Sequence, residues 1–336
     1  MKVLLLTRSP MRLFRGCGNT VRRFREGLQR RGHLCELLGS EDDGGIKESL
    51  EGTIGRFKPD IVHAHDASMG VALLGLRTPW VVSLTGEDLH VRMLDDREGP
   101  LLCEVARHAH RVLVPDAEAA RALEERVPDA VGAIDVVPRA ALRLDTKGTD
   151  LRRSLGISRQ RFLVLLPGGL RPVKGQHRAL SLIPVLRGHG VDAEMIVVGP
   201  EQDEEYAKEV RERAAQVQGM RVLPALSPER MGAAYQDADV VLNTSLFEGC
   251  SPVILEAGVL GRTVVASNVP GNAQLIRHKE TGLLYQDEEE MARMVLALAR
   301  NRSACGAMGL RMREDFAKRF SDEREIDLLL SAYAAA

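Results

Sequence analysis

Short apolar runs alternate with longer amphipathic stretches along most of this chain, and that alternation constrains its fold more than any other feature. Runs at 2–6, 34–38, 60–64, 80–84, 111–114 and 133–137 read as strands. The stretches 19–31, 45–57, 99–109 and 116–126 between them read as helices. Such a βαβ series predicts an open parallel sheet covered on both faces. A second series has strands at 162–166, 194–198, 220–223, 239–243 and 263–267, with helices at 176–188, 203–217, 228–236, 252–260 and 287–300. The expected class is therefore α/β, with two Rossmann-like domains over 1–150 and 158–320. The polar segment from Arg143 to Ile157 is the candidate linker. Two such domains are expected to face a central cleft at the C-terminal strand ends. From Ser321 onward, Ile326, Leu328, Leu329, Leu330 and Tyr333 predict a final helix. No internal repeat is long enough for a solenoid.

Composition narrows the function classes. With 336 residues, 44% of them hydrophobic, and a net charge of −1, the chain reads as globular and not as a nucleic-acid binder. Its five cysteines (17, 35, 103, 250 and 305) are scattered and lack Cys-x-x-Cys spacing, which argues for a reducing compartment and against a zinc site. Met1–Thr7 is too short for a signal segment and is cut off by Arg8, and no apolar run approaches the ~20 residues of a membrane span. A cytoplasmic location is expected.

The chemistry concentrates in Phe247-Glu248-Gly249-Cys250-Ser251-Pro252-Val253-Ile254-Leu255-Glu256. Ser251 reads as a helix N-cap and Pro252 as the first helical residue. The amides of Val253 and Ile254 are then free to meet an anion. Glu256 lies roughly 6 Å further along the axis. That spacing suits a carboxylate gripping a ribose whose diphosphate sits on the helix end, with Glu248 facing whatever lies beyond the phosphates. The alternative for Glu256 is an ordinary carboxylate favourable to the helix dipole, and for Glu248 a cap on loop amides. Arg171 and Lys174 follow the strand 162–166 in a glycine-rich turn, where paired cations can clamp a diphosphate. Near the N-terminus, Arg15-Gly16-Cys17-Gly18-Asn19-Thr20 follows the first strand and opens a helix. Gly18 and Asn19 are expected to line the cleft, although a plain turn with Asn19 as N-cap serves equally.

The Glu-x7-Glu pair, Gly168-Gly169-Leu170-Arg171-Pro172-Val173-Lys174-Gly175, and Gly258-Val259-Leu260-Gly261 followed by Pro270-Gly271-Asn272 and Thr281-Gly282-Leu283-Leu284 together carry a resemblance. In that order and spacing they resemble the retaining glycosyltransferases of family 4, also called group 1, which have the GT-B fold. The likeness is close over the C-terminal half and looser over the N-terminal half. It is strongest to the short members called glycosyltransferase 1 domain-containing proteins, which have similar Leu-Arg-x-Val-Lys, Val-Gly-Pro-Glu and Pro-Gly-Asn-Ala stretches.

The resemblance implies transfer of a hexosyl unit from a nucleoside-diphosphate sugar, with UDP favoured, to a small-molecule or lipid-linked acceptor. It implies that Arg171 and Lys174 hold the diphosphate, Glu256 the ribose and Glu248 the donor sugar. It implies no cofactor and no metal, and a final helix crossing back onto the first domain. The base is expected near Gly199-Pro200 and Leu223-Pro224-Ala225-Leu226. One departure concerns the His-Gly-x-Asp stretch of many members, whose His contacts the donor sugar; here Thr85-Gly86-Glu87-Asp88 stands in its place. Thr85, Glu87, Asp88 or His65 is left to supply that contact, although His63 and His65 also read as satisfied structural histidines. The only Asp-x-Asp, Asp237-Ala238-Asp239, precedes a strand instead of following one and reads as structural. Residues 1–33 hold nine Lys/Arg and one Glu. That excess reads as a solvated basic face, as attraction to an anionic membrane surface, or as recognition of a phosphorylated acceptor through Arg8, Arg12 and Arg15. The rival functions are a nucleotide-sugar epimerase, a sugar phosphorylase, and a nucleotide-sugar-binding protein without turnover.

Overall fold

Continuous runs of Val, Leu and Ile become strands buried on both faces, as a parallel sheet with helices on each side demands. The computed structural model describes residues 1–8, 17–39, 46–90, 92–141, 144, 146 and 150–336; for residues 17–19, 87 and 90 it describes the backbone alone. The chain divides into two compact units, Met1–Ala140 with Phe320–Ala336, and Ala141–Arg319.

The first unit holds β1 (Lys2–Thr7), β2 (Leu34–Gly39), β3 (Ile61–His65), β4 (Trp80–Ser83), β5 (Arg111–Val114) and β6 (Ile134–Val136). All pairings are parallel, in the order β2-β1-β3-β4-β5-β6. Alternation along β1 sends Leu4 and Leu6 into a core with Ile46, Leu50, Val62 and Trp80. Val3 and Leu5 point the other way, toward Val21, Phe24 and Leu28 of the helix Cys17–Arg30 and Ile326, Leu329 and Tyr333 of the helix Asp322–Ala334. These two helices approach closely at Gly27, where a Cβ would lie 2.4 Å from Ile326 Cγ1. Beside that contact Arg23 donates to Glu325 through Nε and Nη2 at 2.5 and 2.7 Å, both residues buried.

The second unit holds β7 (Phe162–Pro167), β8 (Ala193–Val198), β9 (Met220–Leu223), β10 (Val240–Asn243), β11 (Thr263–Ser267) and β12 (Leu283–Tyr285), in the order β12-β11-β10-β7-β8-β9. Read from β9, this is the strand order of the dinucleotide-binding sheet.

Several elements differ from the sequence reading. The predicted helix 176–188 is a 3-10 turn at Gln176–Ala179 followed by a helix at Leu182–Gly188. Pro184 lacks the N–H a continuous helix would need and is accommodated in a first turn instead. Strand β12 and the helices Pro270–Leu275 and Arg302–Arg319 were not foreseen. The last of these carries Gly306 and Gly309 and owes its stability to packing: a Cβ at Gly309 would meet the Gly261 carbonyl oxygen at 2.2 Å. Part of the candidate linker is folded as well. Asp150 caps the helix Leu151–Leu155, and Arg152 is buried within the second unit. Residues 143, 145 and 147–149 of that segment lie outside the described residues.

Candidate functional site

In the second sheet β7 and β10 are neighbours from which the chain departs in opposite directions, so the loops leaving their C-terminal ends diverge and open a crevice. Gly168–Gly175 follows β7, and Thr244–Ser251 follows β10. The two loops are fastened together by Leu246 N–H to the Val173 carbonyl and by Thr244 Oγ1 to the Lys174 carbonyl, both at 2.8 Å. Gly175 has φ 61°, and a Cβ there would meet the Thr244 carbonyl oxygen at 2.5 Å, so this crossing requires glycine.

Lys174 and Glu248 meet at the crossing, Nζ to Oε1, 2.6 Å apart. Ser245 Oγ donates to the same carboxylate oxygen at 2.6 Å and Asn243 Nδ2 at 3.3 Å. Glu248 Oε2 receives no donor among the described residues, so one oxygen is fixed by the protein and the other is presented. The Arg171 side chain is exposed and makes no hydrogen bond or ion pair among the described residues.

Ser251 occupies the N-cap of the helix Pro252–Val259, but its hydroxyl makes no cap bond. Its Oγ accepts instead from Asn243 Nδ2 at 3.0 Å. The amides of Val253 and Ile254 have no acceptor among the described residues, so the positive end of the helix is left uncapped. Further along, Glu256 Oε2 accepts the Tyr235 hydroxyl at 2.7 Å. Burial, and then the Glu256 charge, push the Tyr235 phenol well above its ordinary range, which keeps it a donor. Gly199, in the expected base region, packs directly on the Gly168 carbonyl, where a Cβ would lie 2.0 Å away.

Asp237 and Asp239 serve another purpose. Asp239 Oδ2 accepts from Arg152 Nη2 at 2.8 Å and from Leu163 N–H at 2.7 Å, while Asp237 Oδ2 accepts from Arg152 N–H at 3.0 Å. Both acids anchor the start of β7 and β10, at the end of the sheet opposite Glu248. Among the described residues no group of three His, Cys, Asp or Glu side chains could hold a metal ion.

In the first unit, Gly18 and Asn19 lie in the first turn of the helix Cys17–Arg30, and their side chains are outside the described residues, as are Arg12 and Arg15 entirely. Thr85 donates through N–H and Oγ1 to Asp88 Oδ2, both at 2.8 Å, and its Oγ1 accepts from Asp88 N–H at 3.2 Å. This reciprocal cap on the helix Gly86–His90 accounts for the hydroxyl without a ligand. The Glu87 side chain is outside the described residues. His63 is a satisfied structural histidine, within 2.7 Å of the Tyr333 hydroxyl and 2.8 Å of Ser83 Oγ. His65 is not: its buried Nδ1 has no partner among the described residues. Burial, then the Arg139 and Arg23 charges, lower its pKa to about 3.

The next residue, Asp66, has φ 102°, a strained value for a side chain with a Cβ, and accepts from Met69 N–H. Burial raises its carboxyl pKa. Beside this turn is a cavity of about 390 Å³ lined by Arg8, Lys47, Arg92, Arg97 and the acidic Glu98 over an apolar floor that includes Met69 and Leu102. Lys47 and Arg97 make no ion pair among the described residues.

Tyr235, Asn243 and Ser245 had not been singled out from sequence, and Asn272 entered only as part of the Pro270-Gly271-Asn272 stretch. Only Asn243 offered a signal, as a polar residue closing the apolar strand Val240-Val241-Leu242 five positions before Glu248.

Residues 161–301 match the family described as Glycosyl transferases group 1. Glycosyltransferase 1 domain-containing protein 1 of Xenopus tropicalis is 27% identical over 305 residues, which cover 88% of this chain and 86% of that protein. A D-inositol 3-phosphate glycosyltransferase of Rhodococcus erythropolis is 28% identical over 246 residues, 69% of this chain but only 55% of that relative. Among solved structures, Anabaena Alr3699/HepE in complex with UDP superposes with a TM-score of 0.82 over 100% of both chains at 19% identity, a likeness of fold.

Proposed function

We propose that the chain, which is similar to the group 1 glycosyltransferases and has the GT-B fold, moves a sugar from UDP-sugar to an anionic acceptor with retention of configuration. The observation that carries this reading is the meeting of Lys174 and Glu248 beside an uncapped helix end, at the point where the strand order reverses. The diphosphate would rest on the amides of Val253 and Ile254, with Arg171 and Lys174 against its oxygens. Lys174 has three N–H donors, of which Glu248 takes one. As the bond from C1 to the phosphate oxygen breaks, these groups would stabilise the growing charge on the leaving diphosphate, without a metal or other cofactor. The acceptor oxygen would bond C1 on the face that the diphosphate leaves, and a diphosphate oxygen would take its proton. Glu256, held by Tyr235, would grip the ribose, and Glu248 Oε2 would accept from a donor-sugar hydroxyl. The structural relative HepE was solved with UDP and with UDP-glucose, which favours uridine as the base.

An anionic acceptor is supported by the cation-lined cavity of the first unit and by relatives named for D-inositol 3-phosphate. Thermal unfolding with millimolar UDP, GDP, ADP and dTDP, without added metal, tests the donor assignment. A ligand at 100-fold its Kd adds about 2.7 kcal/mol, and UDP is expected to give the largest rise. A flat response to all four would reject the nucleotide site.

A further inference from the structure

The side-chain amide of Asn243 is 3% exposed and has all four of its hydrogen-bonding positions filled. Oδ1 accepts from Ser245 N–H and from Asn272 Nδ2, each at 3.1 Å. Nδ2 donates to Glu248 Oε1 at 3.3 Å and to Ser251 Oγ at 3.0 Å. That pattern fixes the amide one way round, because a flip would set its oxygen against the Glu248 carboxylate and its N–H groups against two other donors. Asn272 is held in turn by Ser267 and buried completely. Its neighbour Gly271 lies so close under the Glu248 loop that a Cβ would meet the carbonyl oxygens of Glu248 and Gly249 at 2.2 Å.

A serine at an N-cap ordinarily turns its hydroxyl onto the second or third amide of the helix and closes it to other acceptors. Here the hydroxyl is drawn away by Asn243. We propose that Asn243 is the positioning residue of the donor site: one N–H steadies the Glu248 carboxylate, and the other keeps Ser251 from capping the helix, leaving the amides of Val253 and Ile254 open to the diphosphate. The inference rests on the assignment of a nucleoside diphosphate to that helix end. It makes one amide responsible for both the sugar-side carboxylate and the phosphate-side dipole.

The consequence is a double-mutant test with an outcome that a merely structural role does not give. In Asn243→Ala the released hydroxyl caps the helix in competition with the diphosphate, and UDP affinity falls by about tenfold. In Asn243→Ala/Ser251→Ala the competing hydroxyl is gone, and UDP affinity returns to within about threefold of wild type. Glu248 keeps Lys174 and Ser245 but lacks its third donor in both, so kcat on UDP-sugar stays about tenfold down. Asn243→Asp, which keeps the shape but loses both N–H groups, behaves as the alanine variant and covers the case in which alanine lowers stability too far. Titration calorimetry of the full chain with UDP reads the affinities.

A double variant as weak as the single one, or a single variant that binds UDP like wild type, overturns the proposal while leaving the donor site standing. Wild-type protein that binds none of the four nucleotides overturns both.

Discussion

The Tyr235 hydroxyl donates to Glu256 at 2.7 Å from a ring that is completely buried. Removing it in Tyr235→Phe leaves the ring packed and takes one donor from the carboxylate. A hydrogen bond to a charged group contributes about 1.5–3 kcal/mol, and because Glu256 is only half-buried the lower end applies. Kd for UDP is expected to rise about tenfold, and folding stability to fall by about 1–2 kcal/mol. Calorimetry that finds the affinity untouched would remove Glu256 from the ribose.

Lys174 serves two partners, the Glu248 carboxylate and, in the proposed complex, the diphosphate. Lys174→Met keeps the length of the stem and deletes the charge. Loss of one preorganised transition-state donor costs about 10²–10³ in kcat, and more of the loss should fall on kcat than on donor KM. A pure KM effect would show that Lys174 holds the substrate and the transition state equally.

How far sequence reveals such a site depends on where the partners come from. The loops bearing Arg171, Lys174, Glu248 and Glu256 are legible because each follows a strand whose apolar run is local and unbroken. Glu248 and Ser251 are three positions apart, yet the residue that ties them together reaches its other partner, Asn272, 29 positions away. Asn272 is brought there by a turn that only packing under the Glu248 loop explains. The Arg23–Glu325 pair spans 302 positions and left no local trace. Helix Arg302–Arg319 was missed for a related reason, since its glycines lower intrinsic propensity and act only against Gly261 and its neighbours. Thr85 shows the converse. The resemblance made it a candidate ligand, while the spacing Thr85-x-x-Asp88 is that of a reciprocal helix cap, which the structure realises.

Asp239 offers a test of the Asp-x-Asp stretch. Its carboxylate joins Arg152, the Leu163 amide and Arg302, so Asp239→Asn disturbs the anchoring of β7. A destabilisation of about 1–3 kcal/mol is expected, with kcat within about threefold of wild type and unaffected by EDTA. Loss of turnover in a variant with normal thermal stability would instead point to a metal ligand.

His65 predicts a pH dependence. Its folded-state pKa is about 3, depressed by burial and then by Arg139 and Arg23. The unfolded chain, with an ordinary histidine near 6.5, therefore binds the extra proton first as pH falls. Stability is complete above about pH 6.5 and is lost progressively below it, by at most about 1.4 kcal/mol per pH unit for this one group. Burial and then the neighbouring His65 lower His63 in the same direction. Unfolding between pH 7.5 and 5, above most carboxylate titrations, should show the decline, and His65→Asn should flatten it. An unchanged slope in the variant would mean that His65 is not the group responsible.

The cavity of the first unit carries the acceptor assignment. Arg92 is engaged by Asp88 and Glu98, and Arg8 by Ser68, which leaves Lys47 and Arg97 as lining cations without an ion pair among the described residues. In Lys47→Ala/Arg97→Ala, KM for a phosphorylated acceptor such as inositol 3-phosphate should rise at least tenfold. Each charge-assisted bond lost is worth about 1.5–3 kcal/mol in a dry site and less at a half-open one. Donor KM and the affinity for UDP should stay at wild-type values, because every residue assigned to the nucleotide lies in the other unit. Initial rates with donor and acceptor varied in turn separate the two. If acceptor KM is unmoved while a neutral polyol serves as well as its phosphate, the cavity is not an anion site and the acceptor is uncharged.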